Sequence, residues 1–218
     1  MAGRTMNKAS LRLFALTVAV AALSGCGGGN APERPPLADA RIGGPFTLTD
    51  QDGRRISDTG FAGKYRLIYF GYTMCPDVCP TDVQTLMKGY RKIEQSRPEL
   101  AAKIQPIFIT VDPERDTPPV LLQFVRAFHP KLIGLTGSEG EIAAVAKQYA
   151  IFYEKVPAKQ AKDDPRSPAQ FAADEKDNYL MDHSRQATLF GPEGQPLALI
   201  TQDKGADTVV ADIERWAK

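Results

Sequence analysis

The sequence predicts an α/β fold, a central mixed sheet flanked by helices with a hairpin at its N-terminal end. Three observations carry that expectation. Two near-continuous apolar runs, "YRLIYFGY" at residues 65–72 and "IQPIFITV" at 104–111, have the pattern of strands buried on both faces. Each is followed by a segment whose apolar residues recur at helical spacing. Late in the chain, two strand-like segments joined by a turn at 191–194 precede an amphipathic C-terminal segment.

Taken in order, "PFTLTD" and "GRRIS" flank Asp52-Gly53 and read as a short hairpin. After the strand at 65–72, Val83, Leu86, Met87, Tyr90 and Ile93 fall on one stripe of a helix. Thr117 followed by Pro118 marks an N-cap and first turn, opening the helix "PPVLLQFVRAF" after the second buried strand. "KLIGLTG" is a short strand, and "SEGEIAAVAKQY" is a helix begun by a capping box between Ser138 and Glu141. "IFYEKV" is a further strand. Residues 157–178 then lose all period and fill with Lys, Asp, Gln and Pro, and a loop of that length in a compact domain is functional or disordered. "YLMDHS", "ATLFGPEG" and "PLALIT" are strands, and "ADTVVADIERWAK" is the closing helix, with Trp216 as its packing anchor. This succession is the order of a thioredoxin-like domain. In that fold a reactive cysteine pair sits where the first buried strand enters its helix.

The N-terminus speaks to compartment. Arg4 and Lys8 precede the apolar stretch "LFALTVAVAAL", which is shorter than the roughly 20 residues of a relaxed membrane span. With "LSGC" after it, the segment has the layout of a secretory signal. "LSGC" resembles the lipobox of bacterial lipoproteins, which implies that Cys26 becomes the lipid-modified first residue of an exported, membrane-anchored protein facing the periplasm or cell exterior. Residues 1–25 are then the signal peptide. Residues 26–41, rich in Gly, Pro and Ala, are a flexible tether, and 42–218 form the domain. Removing residues 1–25 takes away Arg4, Lys8 and Arg12 and no acid, leaving 24 basic against 26 acidic groups, a net charge of −2. Nothing basic remains to argue for a nucleic-acid partner.

With Cys26 acylated, Cys75 and Cys79 in "GYTMCPDVCPTDV" are the free thiols, in a compartment that permits a disulfide between them. A structural disulfide, a redox switch and a metal site all use such a pair. A thiol near a helix N-terminus is biased toward thiolate, both nucleophile and metal ligand. Positions i and i+4 share a helix face, so two sulfurs can chelate one ion. Of the two histidines, His129 at a helix end reads as a cap or surface residue. His183, in "YLMDHS", enters the late hairpin, which faces the cysteine helix in a thioredoxin-like domain. Two thiolates and an imidazole suit copper, as Cu(I) and Cu(II). Structural zinc wants four ligands, which only His129 or Asp77 could complete. Met74 reads as a neighbour of the site, and Asp116 as a capping or loop-shaping residue. Asp112, at a strand end, is a candidate to tune the site. Asp182 is a candidate to orient the imidazole.

"GYTMCPDVCPTDVQTL", "ITVDPERDTP" and "YLMDHS…LFGPEGQ", in that order, resemble the Sco/SenC family of copper-binding assembly proteins over roughly residues 42–216. The resemblance implies a tethered thioredoxin-like protein. It would deliver copper to the dinuclear centre of cytochrome c oxidase, or keep that centre's cysteines reduced. It matches Cys75, Cys79 and His183 to the copper ligands and Asp77 to an acidic residue beside them. Its partners would be the copper-accepting oxidase subunit and other copper chaperones or thiol reductants. A metallochaperone that is not itself an enzyme is the leading expectation. A thiol–disulfide oxidoreductase is the alternative, and a peroxiredoxin-like peroxidase a third. His183 favours the first, because thiol exchange needs no imidazole ligand, and the Cys-x-x-Cys spacing usual in oxidoreductases is absent.

Overall fold

The computed structural model describes residues 33–157 and 179–218. Cys26, the signal segment and nearly all of the polar loop lie outside the described residues. The elements are β1 (Thr47–Asp50), β2 (Arg55–Ser57), β3 (Tyr65–Gly71), α1 (Val78–Ser96), α2 (Pro98–Ala101), β4 (Ile104–Thr110), α3 (Pro118–Phe128), β5 (Ile133–Thr136), α4 (Glu139–Gln148), β6 (Tyr153–Pro157), β7 (Tyr179–His183), β8 (Ala187–Phe190), β9 (Pro196–Ile200) and α5 (Ala206–Trp216).

The two apolar runs form the centre of the sheet. β3 and β4 pair in parallel from Tyr65↔Ile104 to Gly71↔Thr110, and every β3 residue is buried. β5 lies parallel on the far side of β4, while β8 runs antiparallel to β3. The hairpin β1–β2 joins β5 antiparallel, and β9 closes the other edge, giving the seven-stranded order β2-β1-β5-β4-β3-β8-β9. The expected mixed sheet and N-terminal hairpin are therefore present. At the hairpin, Gly53 takes φ 81°, and Asp50 accepts hydrogen bonds from the Asp52 and Arg54 N–H groups. The capping box forms in full between Ser138 and Glu141.

Helix α5 packs on α1 closely enough that a Cβ on Gly89 would come within 2.6 Å of Val209. Trp216 packs, half-buried, against the core.

Two features depart from the sequence reading. The compact unit begins at Pro35, earlier than residue 42, because the Leu37 N–H donates to the Leu197 carbonyl and fastens part of the expected tether to β9. Strands β6 and β7 do not enter the main sheet. They pair only with each other, Tyr153↔His183 through Pro157↔Tyr179, as a separate two-stranded ribbon. Exposed Glu154 and Lys155 give β6 no face suited to a buried layer. Among the described residues no helix is long and apolar enough to cross a membrane.

Candidate metal centre

β3 ends at Gly71, where only a residue without a side chain fits. A Cβ there would lie 3.2 Å from the Cys79 Sγ, 3.1 Å from Phe108 and 2.9 Å from Tyr69. The chain leaves the sheet, and α1 starts at Val78 with Asp77 as its N-cap. Cys79 is thus in the first helical turn, while Cys75 precedes the helix. The two do not share a helix face as a regular i, i+4 pair. Instead the Cys75 Sγ folds back to accept the Cys79 N–H at 3.4 Å. A sulfur takes the place of a capping oxygen, since the Asp77 side chain makes no cap bond.

Both thiols are reduced and buried, Cys75 at 9% exposure and Cys79 at 0%. The Cys75 thiol is held far below its ordinary range, chiefly by the hydrogen bond from Cys79. The backbone N–H groups of Cys79 and Asp77 add to this, and burial opposes it. Cys79 is pushed the other way, by that same bond and by burial. The surroundings therefore bias Cys75 toward thiolate and Cys79 toward thiol.

The loop that presents Cys75 is pinned from behind. Asp116, fully buried, accepts from the Thr73 N–H at 3.0 Å, the Thr73 hydroxyl at 2.6 Å and the Thr110 hydroxyl at 2.6 Å. Asp116 thus shapes the cysteine loop from the segment after β4.

His183 closes the site from β7. Its Nε2 lies 3.2 Å from the Cys79 Sγ, and its Nδ1 lies 2.9 Å from the Ser184 carbonyl oxygen. A carbonyl only accepts, so in the neutral ring Nδ1 carries the proton and Nε2 turns its lone pair toward the sulfur. Tyr69 and Tyr72 stand edge-on to the imidazole at 6.4 and 5.9 Å.

The remaining candidates divide. Asp182 does not orient the imidazole. Successive strand residues face opposite ways, Asp182 is exposed, and the Ser184 carbonyl holds Nδ1. Asp77 is exposed and reaches the site through its backbone N–H to Cys75. Asp112 is buried and accepts from Arg115 Nε at 2.5 Å and from the Tyr179 hydroxyl at 2.6 Å. It anchors the start of β7 and does not touch the sulfurs. Met74 is exposed. His129 is buried, contrary to a surface placement, and both its nitrogens are engaged, Nε2 with Glu94 at 3.0 Å and Nδ1 with the Lys131 N–H.

Sequence reasoning missed Asp82 and Arg185. Asp82 is a buried carboxylate on the face of α1 that also carries Cys79, bound by Arg185 and Tyr69. Its signal in the sequence was an acid three positions after Cys79, on the apolar side of the helix.

Two sulfurs and an imidazole lone pair meet here, a donor set suited to a soft ion. Among the described residues no three His, Cys, Asp or Glu side chains stand already spaced around an ion. The donors stand in direct contact instead, with the Cys79 Sγ and the His183 Nε2 3.2 Å apart.

The family model SCO1/SenC matches residues 34–218. The mitochondrial SCO1 homolog 1 of Arabidopsis thaliana is 36% identical over 190 residues, covering 85% of this chain and 51% of the relative. The chain spans about half the length of such curated relatives. The structure of Bradyrhizobium japonicum ScoI with copper bound aligns with a TM-score of 0.66 at 36% identity, over 80% of this chain and 99% of that one. At 15% identity, the thioredoxin domain of a thiol-disulfide oxidoreductase from Bacteroides vulgatus aligns with a TM-score of 0.52 over 81% of this chain and 96% of its own, a likeness of fold alone. On its sequence and its thioredoxin-like architecture, the chain belongs to the SCO1/SenC family.

Proposed function

We propose that this chain is a membrane-tethered metallochaperone that takes copper as cargo on Cys75, Cys79 and His183 and assists assembly of the dinuclear copper centre of cytochrome c oxidase. The observation that carries this reading is the contact between the Cys79 Sγ and the His183 Nε2 at 3.2 Å. Thiol exchange needs no third ligand, whereas a metal site does. The relatives point the same way, since the Bradyrhizobium japonicum protein holds copper.

The chain's own groups supply the chemistry. Cys75 presents a thiolate at the rim, and Cys79 releases its proton when the ion replaces it, because a ligating thiol must be ionised. Nε2 offers a lone pair whose direction the Ser184 carbonyl fixes through Nδ1. The tyrosines and the buried helix end exclude water. Ligand exchange with the copper-accepting oxidase subunit then moves the ion on, and other copper chaperones or thiol reductants load or reset the site. In this reading Cys26 carries the lipid that holds the domain at the membrane, facing the periplasm or cell exterior.

The test is the metal content and optical spectrum of the detergent-solubilised full chain after copper loading. Wild type should bind copper stoichiometrically, and Cys75→Ser and Cys79→Ser should abolish stable binding. Equal copper content in all three proteins would refute the site.

One observation favours a second reading. Cys75 is the more accessible thiol and is strongly biased to thiolate, with Cys79 behind it. A thiol–disulfide oxidoreductase uses such a pair. Cys75 attacks one sulfur of the acceptor's disulfide and releases the other as thiolate. Cys79 then gives up its proton and attacks the Cys75 sulfur of the mixed disulfide. Two electrons thus reach the acceptor, with the Cys79 proton and one from solvent, and Cys75 and Cys79 are left joined as a disulfide. The two activities are compatible, because thiols that hold Cu(I) are reduced and thiols in a disulfide are spent.

A further inference from the structure

The ribbon β6–β7 carries His183, yet it shares no backbone ladder with the sheet that sets the position of α1. Something else must fix the imidazole relative to Cys79. Both ends of β7 are fastened by an aspartate–arginine pair. At its start, Arg115 Nη1 donates to the Tyr179 carbonyl at 3.0 Å while Asp112 binds both the Arg115 Nε and the Tyr179 hydroxyl. The Arg115 guanidinium also lies 3.5 Å over the Tyr179 ring. Just beyond its end, Arg185 reaches back to α1, where its Nε and Nη2 donate to the two oxygens of Asp82 at 3.1 and 3.0 Å.

The second pair is the one that measures the site. Asp82 lies one turn after Cys79 on the same helix, and Arg185 lies two residues after His183. The ion pair therefore ties the histidine-bearing segment to the cysteine-bearing helix, beside the contact it would set. Both partners are secured in turn. Gln202 Nε2 donates to the Arg185 carbonyl at 2.6 Å, and the Tyr69 hydroxyl donates to Asp82 at 3.0 Å. Tyr69 also stands edge-on to the His183 ring, so one carboxylate binds both the arginine two residues after the histidine and a tyrosine that faces its ring. A planar, bidentate arginine fixes direction as well as distance. Asp82 is 3% exposed, and a carboxylate that deep persists only when its partners are in place.

We propose that the Asp82–Arg185 pair is a positioning latch that holds His183 within reach of Cys79, and that its loss selectively weakens the imidazole's share of metal binding. The role in metal binding rests on the proposed function above; the role in positioning does not.

Two readouts on the full chain separate these. The first needs no copper: the NMR signals of the His183 ring nitrogens. Wild type should show one tautomer with a slowly exchanging Nδ1 proton. Arg185→Ala should average the tautomers and speed that exchange, and Arg185→Lys should restore it in part. Since Arg185→Ala strands a buried carboxylate, the double variant Asp82→Asn/Arg185→Ala is measured beside it and should behave alike while folding normally. The second readout is copper affinity by chelator competition. Cu(II) binding should weaken about tenfold or more, with an altered Cu(II) spectrum, while Cu(I) binding changes by less than about threefold. A purely structural role would instead lower both affinities together. His183 signals unchanged in both the single and the double variant would overturn the latch. If wild type takes up no copper, the proposed function falls and the latch is judged on the ring signals alone.

Discussion

The Cys79 Sγ and the His183 Nε2 lie 3.2 Å apart across 104 positions of sequence. Neither neighbourhood creates that contact alone. Cys79 is set by the exit of β3 and the start of α1, and His183 by a ribbon fastened at both ends. The expectations below follow from how those parts are held.

Cys75 should be the reactive thiol. Its sulfur accepts from Cys79 and sits at the helix N-terminus, whereas Cys79 is completely buried and holds its proton. Thiolate, not thiol, is the nucleophile. In the copper-free, reduced protein at about pH 6, below the ordinary cysteine range, iodoacetamide should label Cys75 well before Cys79. Peptide mass spectrometry reads the order, and equal or reversed labelling would contradict the assignment.

Gly71→Ala should damage the site through packing alone. The added methyl would press on Tyr69, Phe108 and the Cys79 sulfur, the nearest at 2.9 Å. Overpacking of this kind costs about 1–3 kcal/mol. A shifted urea midpoint with unchanged slope measures it, together with reduced copper affinity. Wild-type stability and affinity would show that the sheet end yields more easily than this geometry allows.

Asp116 should give stability a pH slope of defined sign. Burial raises its pKa against the hydrogen bonds from Thr110 and Thr73. An unfolded aspartate ionises near pH 4 (about 3.9), so just above that value the folded state binds more protons than the unfolded one. Stability from this residue is therefore full at low pH and falls as pH rises toward the folded pKa. Asp116→Asn should remove that fall in denaturation curves taken at successive pH values. Asp116→Ala strands three donors and should cost about 2–3 kcal/mol.

Much of this was legible in the sequence, for reasons that are themselves local. Strands β3 and β4 announce themselves because a layer covered on both faces tolerates only apolar runs. The hairpin and α4 are written in Asp52-Gly53 and in Ser138 with Glu141. Cys75, Cys79 and His183 could be singled out because thiols and imidazoles are scarce here. What could not be read depends on contacts between distant segments. That "IFYEKV" and "YLMDHS" leave the main sheet to pair together is decided by which partners are free, not by either stretch. Asp182 beside His183 looked like the group that orients the ring. Strand alternation turns it outward, and a backbone carbonyl, invisible to residue type, does the work. Asp82 and Arg185 each pass for ordinary surface charges until the fold brings them together.

The central claim is that His183 serves copper transfer, and the most direct measurement is cytochrome c oxidase assembly in cells carrying His183→Ala under limiting copper. Removing the imidazole leaves Cys75 and Cys79 in place, so the variant should lose stable Cu(II) binding but still cycle between dithiol and disulfide. Cys75→Ser and Cys79→Ser should lose both. The account predicts that His183→Ala assembles little oxidase, as the cysteine variants do, and that added copper restores part of it. Full assembly by His183→Ala while both cysteine variants fail would contradict copper transfer and assign the thiols to reduction of the acceptor.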